Sequence, residues 1–180
     1  MIQDILNLFK LKPEPIEYYQ KYSIGLMLSV AVFISVAYGL LLPHPPEISL
    51  IAHFLLMLMI VPIVAIVTWF LVGLLKFKRK NITFQALFAL SVLASMIDLV
   101  AIPLEFLSQF NGIFDYLSMA AFGYSLLVLL FSFVKATEVG AWFGVLSILL
   151  GAVVLTVLMV MISLVFIAIG LLPELVLPLA

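Results

Sequence analysis

From Tyr22 to Leu42 the chain passes through 21 residues without one Asp, Glu, Lys or Arg. At about 1.5 Å of rise per residue, a helix over that run covers the roughly 30 Å hydrocarbon core of a bilayer. The signature recurs in Ser49–Leu75, which has Pro62 near its middle, and in Phe84–Leu104, interrupted only by Asp98. It recurs again in Ile113–Val134, with Asp115 close to its start, and in Val139–Leu172, the last a charge-free run of 34 residues. Charged residues make up 9% of the chain, against about a quarter in a soluble domain, too few to coat a globule. A soluble fold, a disordered chain and a basic nucleic-acid binder are therefore excluded. The pattern predicts an all-α, polytopic membrane helical bundle. The absence of cysteine rules out disulfides, thiolate metal sites and cysteine nucleophiles.

The charges punctuate the runs. Residues 1–21 form a polar amino-terminal segment, 22–172 a single transmembrane domain, and 173–180 a short tail. Pro43-His44-Pro45-Pro46-Glu47 breaks the first two spans, since proline cannot continue a helix. Asn111-Gly112 marks a turn before the fourth span. As one helix the last run would reach about 51 Å, more than one perpendicular crossing needs. Only Gly151 hints at a division, so one long tilted helix and five spans are expected, with six as the alternative.

Lysine and arginine set the orientation. With five spans, residues 1–21 hold three of them, the 76–80 cluster four and the 135–138 loop one. The 43–48 loop, the 105–112 loop and the tail hold none. All eight fall on one side, which predicts a cytoplasmic amino terminus and an external carboxyl terminus. Tyr18, Tyr19, Tyr22, Trp69 and Trp142 near the inner interface agree with this, as do Tyr38 and Tyr116 near the outer one. Asn81-Ile82-Thr83 matches a glycosylation pattern but falls on the cytoplasmic side, where it is a chance match or a helix start. No cleavable signal peptide is expected, because the first apolar run is a full span behind 21 polar residues.

Ile2, Ile5, Leu6 and Phe9 fall at helical spacing against Gln3, Asp4, Asn7 and Lys10, and Pro13 and Pro15 end the pattern. This predicts a short amphipathic helix in the cytoplasmic interface. Lys76, Lys78, Arg79 and Lys80 are candidate contacts for lipid headgroups. Small residues on Gly140-Ala141-Trp142-Phe143-Gly144, continued by Ser147 and Gly151, mark a face for close helix packing. Ser118, Ser125 and Ser132 recur at seven-residue spacing on the fourth span.

Asp98 demands an explanation. A carboxylate near mid-bilayer costs about 2.5–3.5 kcal/mol even on the lenient insertion scale, so it must face protein or water, or be protonated. Ser91, Ser95, Asp98 and Glu105 form one polar stripe on its helix. Asp98, His53, Ser95 and Tyr124 are candidates for an intramembrane polar site, either proton- or solute-handling or a device for helix packing. No motif for hydrolysis, phosphate binding or zinc occurs, and His44 and His53 have poor spacing for a metal. The expectation is a protein without enzymatic activity, cofactor or metal. Its partners are the lipid bilayer and either its own copies or another membrane protein.

Three stretches carry a family resemblance: Thr83-Phe84-Gln85-Ala86-Leu87 with Ile102-Pro103, Gly123-Tyr124-Ser125-Leu126, and Lys135-Ala136 before the last long run. With the five-span, amino-terminus-in plan they resemble the Yip family, membrane proteins first known as interactors of Rab GTPases, in its prokaryotic form. An Asp-Leu-Tyr-Gly-Pro signature of eukaryotic members is missing from residues 1–21, so Rab binding is not implied. The resemblance implies an integral protein of a prokaryotic plasma membrane that organises or shapes the bilayer. The residues leave open a second reading, a small channel or transporter subunit built around Asp98.

Overall fold

The computed structural model describes residues 1–42 and 48–173, and every regular element among them is helical. The Pro43–Glu47 break and nearly all of the proposed tail lie outside the described residues. Five helical segments are long and apolar enough to cross a membrane, so the chain is an integral, multi-pass membrane protein. They are α2 (Ile24–Leu41), α3 (Leu50–Leu75), α4 with α5 (Phe84–Ser95 and Asp98–Ser108), α6 (Ile113–Thr137) and α7 (Ala141–Ala168). Helix α1 (Ile2–Phe9) and a 3-10 turn (Ile16–Lys21) precede them.

Local chemistry fixes the helix starts. The side chains of Ser23, Ser49 and Thr83 accept hydrogen bonds from the backbone N–H of Leu26, Ala52 and Ala86, satisfying donors that a helix start leaves over. The Asn81-Ile82-Thr83 triplet is thus a helix start, with Ile82 buried beside it. Helix α3 runs unbroken through Pro62, and α7 runs unbroken through Gly151. The last apolar run thus forms one long helix, and five candidate spans stand among the described residues.

The central span, α4–α5, packs on α2, α3 and α6, while α3 and α6 also meet α7. Leu87, Phe88, Leu90 and Leu93 of α4 join Leu8, Ile16, Tyr19, Met27, Leu75 and Ile82 in one buried cluster. The small-residue face of α7 packs inside the chain. A Cβ on Gly144 would stand 2.8 Å from Val134 of α6, and one on Gly151 would stand 3.1 Å from Leu71 of α3. Gly140 instead caps α7 with a φ of +89°, open to glycine at little cost.

The apolar stripe read on α1 does not form one buried face. Leu8 and Asp4 are buried, Ile5 and Phe9 pack against the core, and Ile2 and Leu6 are exposed. Helix α1 leans on α4 and α6. What holds it is Asp4. Its carboxylate accepts from the hydroxyls of Tyr18 and Tyr22 and pairs with Lys21 Nζ at 2.9 Å. Burial pushes the Asp4 carboxyl up, but the hydrogen bonds from Tyr22, Lys21 and Tyr18 with the Lys21 charge prevail and hold it at about 2.

Candidate intramembrane polar site

The third span is interrupted where its one charged residue sits. Between α4 and α5, Met96 N and Ile97 N bond back to Leu93 O and Ala94 O, three residues away, and Leu99 N and Val100 N repeat the pattern. Pro103, a turn further on, lacks the N–H that would bond Leu99 O. The interruption leaves Asp98 in the first turn of α5, where the helix dipole favours a negative group.

The two seven-residue stripes then meet. Ser125 of α6 donates its hydroxyl to Asp98 Oδ1, and Ser118 donates to Glu105 Oε2. Both pairs fit one antiparallel register, because the step from 98 to 105 matches the step from 125 back to 118. Continued one step further, that register reaches Ser91 and Ser132. There the Ser91 hydroxyl donates to Leu87 O, within its own helix, and Ser132 Oγ is buried without a hydrogen bond. The hydroxyl of Tyr38, from α2, is also turned toward Asp98.

Asp98 separates two cavities, and Tyr38 and Ser95 line both of them with it. The larger, about 470 Å³, lies between α2, the central span and α6. The smaller, about 190 Å³, lies between α2, α3 and α4 and is lined by Ser35, Ile60 and Val64 among others.

Of the four residues singled out from sequence, the structure brings Asp98 and Ser95 together. His53 is buried on the first turn of α3. It lies two helical turns, about 10 Å, from Ile60, the first α3 residue to reach a cavity beside Asp98. Tyr124 donates its hydroxyl to the Phe9 carbonyl, and the two rings stand 6.4 Å apart, so it fastens α1. Tyr38 and Ser125 take their places. Ser125 was marked by the serine spacing, whereas nothing in the period of α2 singles out Tyr38.

On the basic side, Arg79 has other work than lipid. Its guanidinium pairs with Glu17 at 2.7 Å and Glu138 at 2.8 Å, and donates to the Thr137 carbonyl at 3.0 Å. One side chain thereby joins the amino-terminal segment, the loop after α3 and the turn before α7. Lys76, Lys78 and Lys80 are exposed beside an 85% exposed Phe77 and take part in none of the ion pairs found among the described residues.

Among the described residues no three His, Asp or Glu side chains gather. The intramembrane site offers one carboxylate, hydroxyl donors and two cavities. It can accept hydrogen bonds and hold a positive charge. No family model, curated protein or solved structure matches the chain.

Proposed function

We propose that the protein is a non-enzymatic membrane organiser of the Yip type, acting through a cytoplasmic face that contacts lipid headgroups or partner proteins. The supporting observation is the Arg79 junction. It draws three segments into one face and leaves Lys76, Lys78, Lys80 and Phe77 projecting from it. Lysines beside an exposed aromatic suit an anionic interface, each basic residue near the surface being worth about 1 kcal/mol. In this reading the amino terminus is cytoplasmic, the carboxyl terminus is external, and the membrane is a prokaryotic plasma membrane.

Both tryptophans, Trp69 and Trp142, are exposed, and both lie near this face on the proposed topology. Quenching of their fluorescence by brominated phosphatidylglycerol should exceed that by brominated phosphatidylcholine. Replacing Lys76, Lys78 and Lys80 together by Gln should remove the preference. Equal quenching by both lipids in the unaltered protein would sink this reading.

A second reading, a small channel or transporter subunit, is favoured by the two cavities that meet at Asp98. It requires proton or cation flux in proteoliposomes that disappears with Asp98→Asn at unchanged thermal stability. Flux that persists in the variant, or is absent from the unaltered protein, removes it.

A further inference from the structure

Helices α2 and α6 flank the central span without packing broadly on each other. The larger cavity occupies the seam between them. Its walls are hydrocarbon, from Phe122, Leu126 and Leu129, and Leu126 on the rim is 59% exposed, so the seam opens sideways toward the bilayer. At Gly123 an added Cβ would enter open space. The floor is polar: Asp98, with the hydroxyl of Ser125 bound to it and that of Tyr38 facing it. None of the ion pairs found among the described residues involves Asp98; all of them gather around Asp4 and Arg79.

A carboxylate facing a hydrocarbon groove gains from any positive charge brought to it, because few other groups there compensate it. Depth narrows the source. Asp98 lies ten residues from the end of α5 at Ser108, about 15 Å along the helix. A phospholipid amine is tethered to the interface by its phosphate, whereas a cation that itself dissolves in the bilayer can follow the seam inward to the carboxylate.

We propose that the α2–α6 seam is a binding site for lipophilic organic cations that enter from the bilayer, with Asp98 as their counter-ion. Ser125 and Tyr38 hold the carboxylate toward the groove, and Phe122, Leu126 and Leu129 cover the hydrocarbon body of the ligand. The site goes beyond both functional readings, since it requires neither passage across the membrane nor contact at the basic face.

The test uses the full chain in nanodiscs and labelled tetraphenylphosphonium, measured by equilibrium dialysis against protein-free discs of the same lipid. Saturable binding near one per chain is expected, displaced by dodecylammonium but at least tenfold less well by dodecanol. Asp98→Asn should weaken it at least tenfold. Gly123→Leu fills the groove from a position with free space and raises helix propensity, so it should fold and bind at least tenfold more weakly. Three results each overturn the proposal: equal displacement by dodecanol, which gives the groove to hydrocarbon chains; unchanged binding in Gly123→Leu; or unchanged binding in a folded Asp98→Asn. A fourth comes from Leu126→Cys, the sole thiol in an otherwise cysteine-free chain. Efficient disulfide dimers that cation does not suppress would give the seam to a second copy.

Discussion

The central span and α7 are both apolar enough to cross a membrane, yet they are built by opposite rules. In the most apolar stretch of α4–α5 56% of the residues are buried in the protein, against 11% in α7. The central span carries two carboxylates, a proline and a break; α7 carries no charge and runs 28 residues without interruption. Where lipid is the neighbour, each unsatisfied backbone group costs several kcal/mol, so the helix stays whole. Where protein is the neighbour, side chains from other helices can partner polar groups that lipid could not. Ser125 and Ser118 do so here for the carboxylates of Asp98 and Glu105. Burial inside the bundle is therefore what permits polar chemistry in this chain, and hydrophobicity alone does not reveal which spans have it.

The contrast can be broken most sharply by truncation. Phe88→Ala removes a buried ring of α4 that stacks on Phe84 and should cost about 3–5 kcal/mol. Leu155→Ala on the exposed side of α7 should cost much less, under about 1 kcal/mol. Reversible unfolding in mixed micelles measures both, and equal losses would erase the distinction.

The face that α7 does bury should behave as protein core. Gly144→Ala presses a Cβ on Val134 and should cost about 1–3 kcal/mol, as overpacking does. Combining it with Val134→Ala should restore most of the loss. A double variant as unstable as the single one would mean that the contact is not what matters.

Helix α1 leans on the central span, so its hold should depend on pH. The Asp4 carboxyl is lowered from 3.8 to about 2, so the folded state prefers it ionised. The stabilisation is present in full above the unfolded value near 4, fades as pH falls toward 2 and is gone below it. About two pKa units correspond to roughly 2–3 kcal/mol. Protection of the amides of residues 1–21, taken relative to their intrinsic exchange rate at each pH, should fall over that window in the unaltered protein and be low throughout in Asp4→Asn.

The smallest effect belongs to the carboxylate ladder. Ser118→Ala should cost about 0.6 kcal/mol and at most about 1.7, the range of hydrogen bonds between membrane helices. Its partner variant Glu105→Gln closes a double-mutant cycle. Additive losses would show that the pair is not coupled.

Much of this was legible in the residues. Long apolar runs with at most one charge each marked the five spans, because a bilayer leaves a helix few alternatives. The seven-residue serine spacing on α6 and the polar stripe on α4–α5 were both visible, although the register that joins them is a property of two helices and appears in neither alone. In the sequence Asp98 and His53 are candidates for one polar site, but place along a span says nothing of rotation about the helix axis, and His53 lies two turns from Ile60, the first α3 residue to line a cavity with Asp98. Asp4 was placed on a solvated face by its period. The signal that could have found its role is the spacing of Tyr18, Lys21 and Tyr22, which lines up two phenols and an ammonium for a single carboxylate.

Arg79 also bears on the order in which the molecule is made. Glu17 precedes it by 62 residues and Glu138 follows it by 59, so neither half of the junction is a local contact. During synthesis Arg79 can reach Glu17 once two spans are in place, but it must wait through two more for Glu138. The clasp closes only on a chain that has threaded its first four spans in the right sequence, which makes one guanidinium a record of all but the last step of assembly.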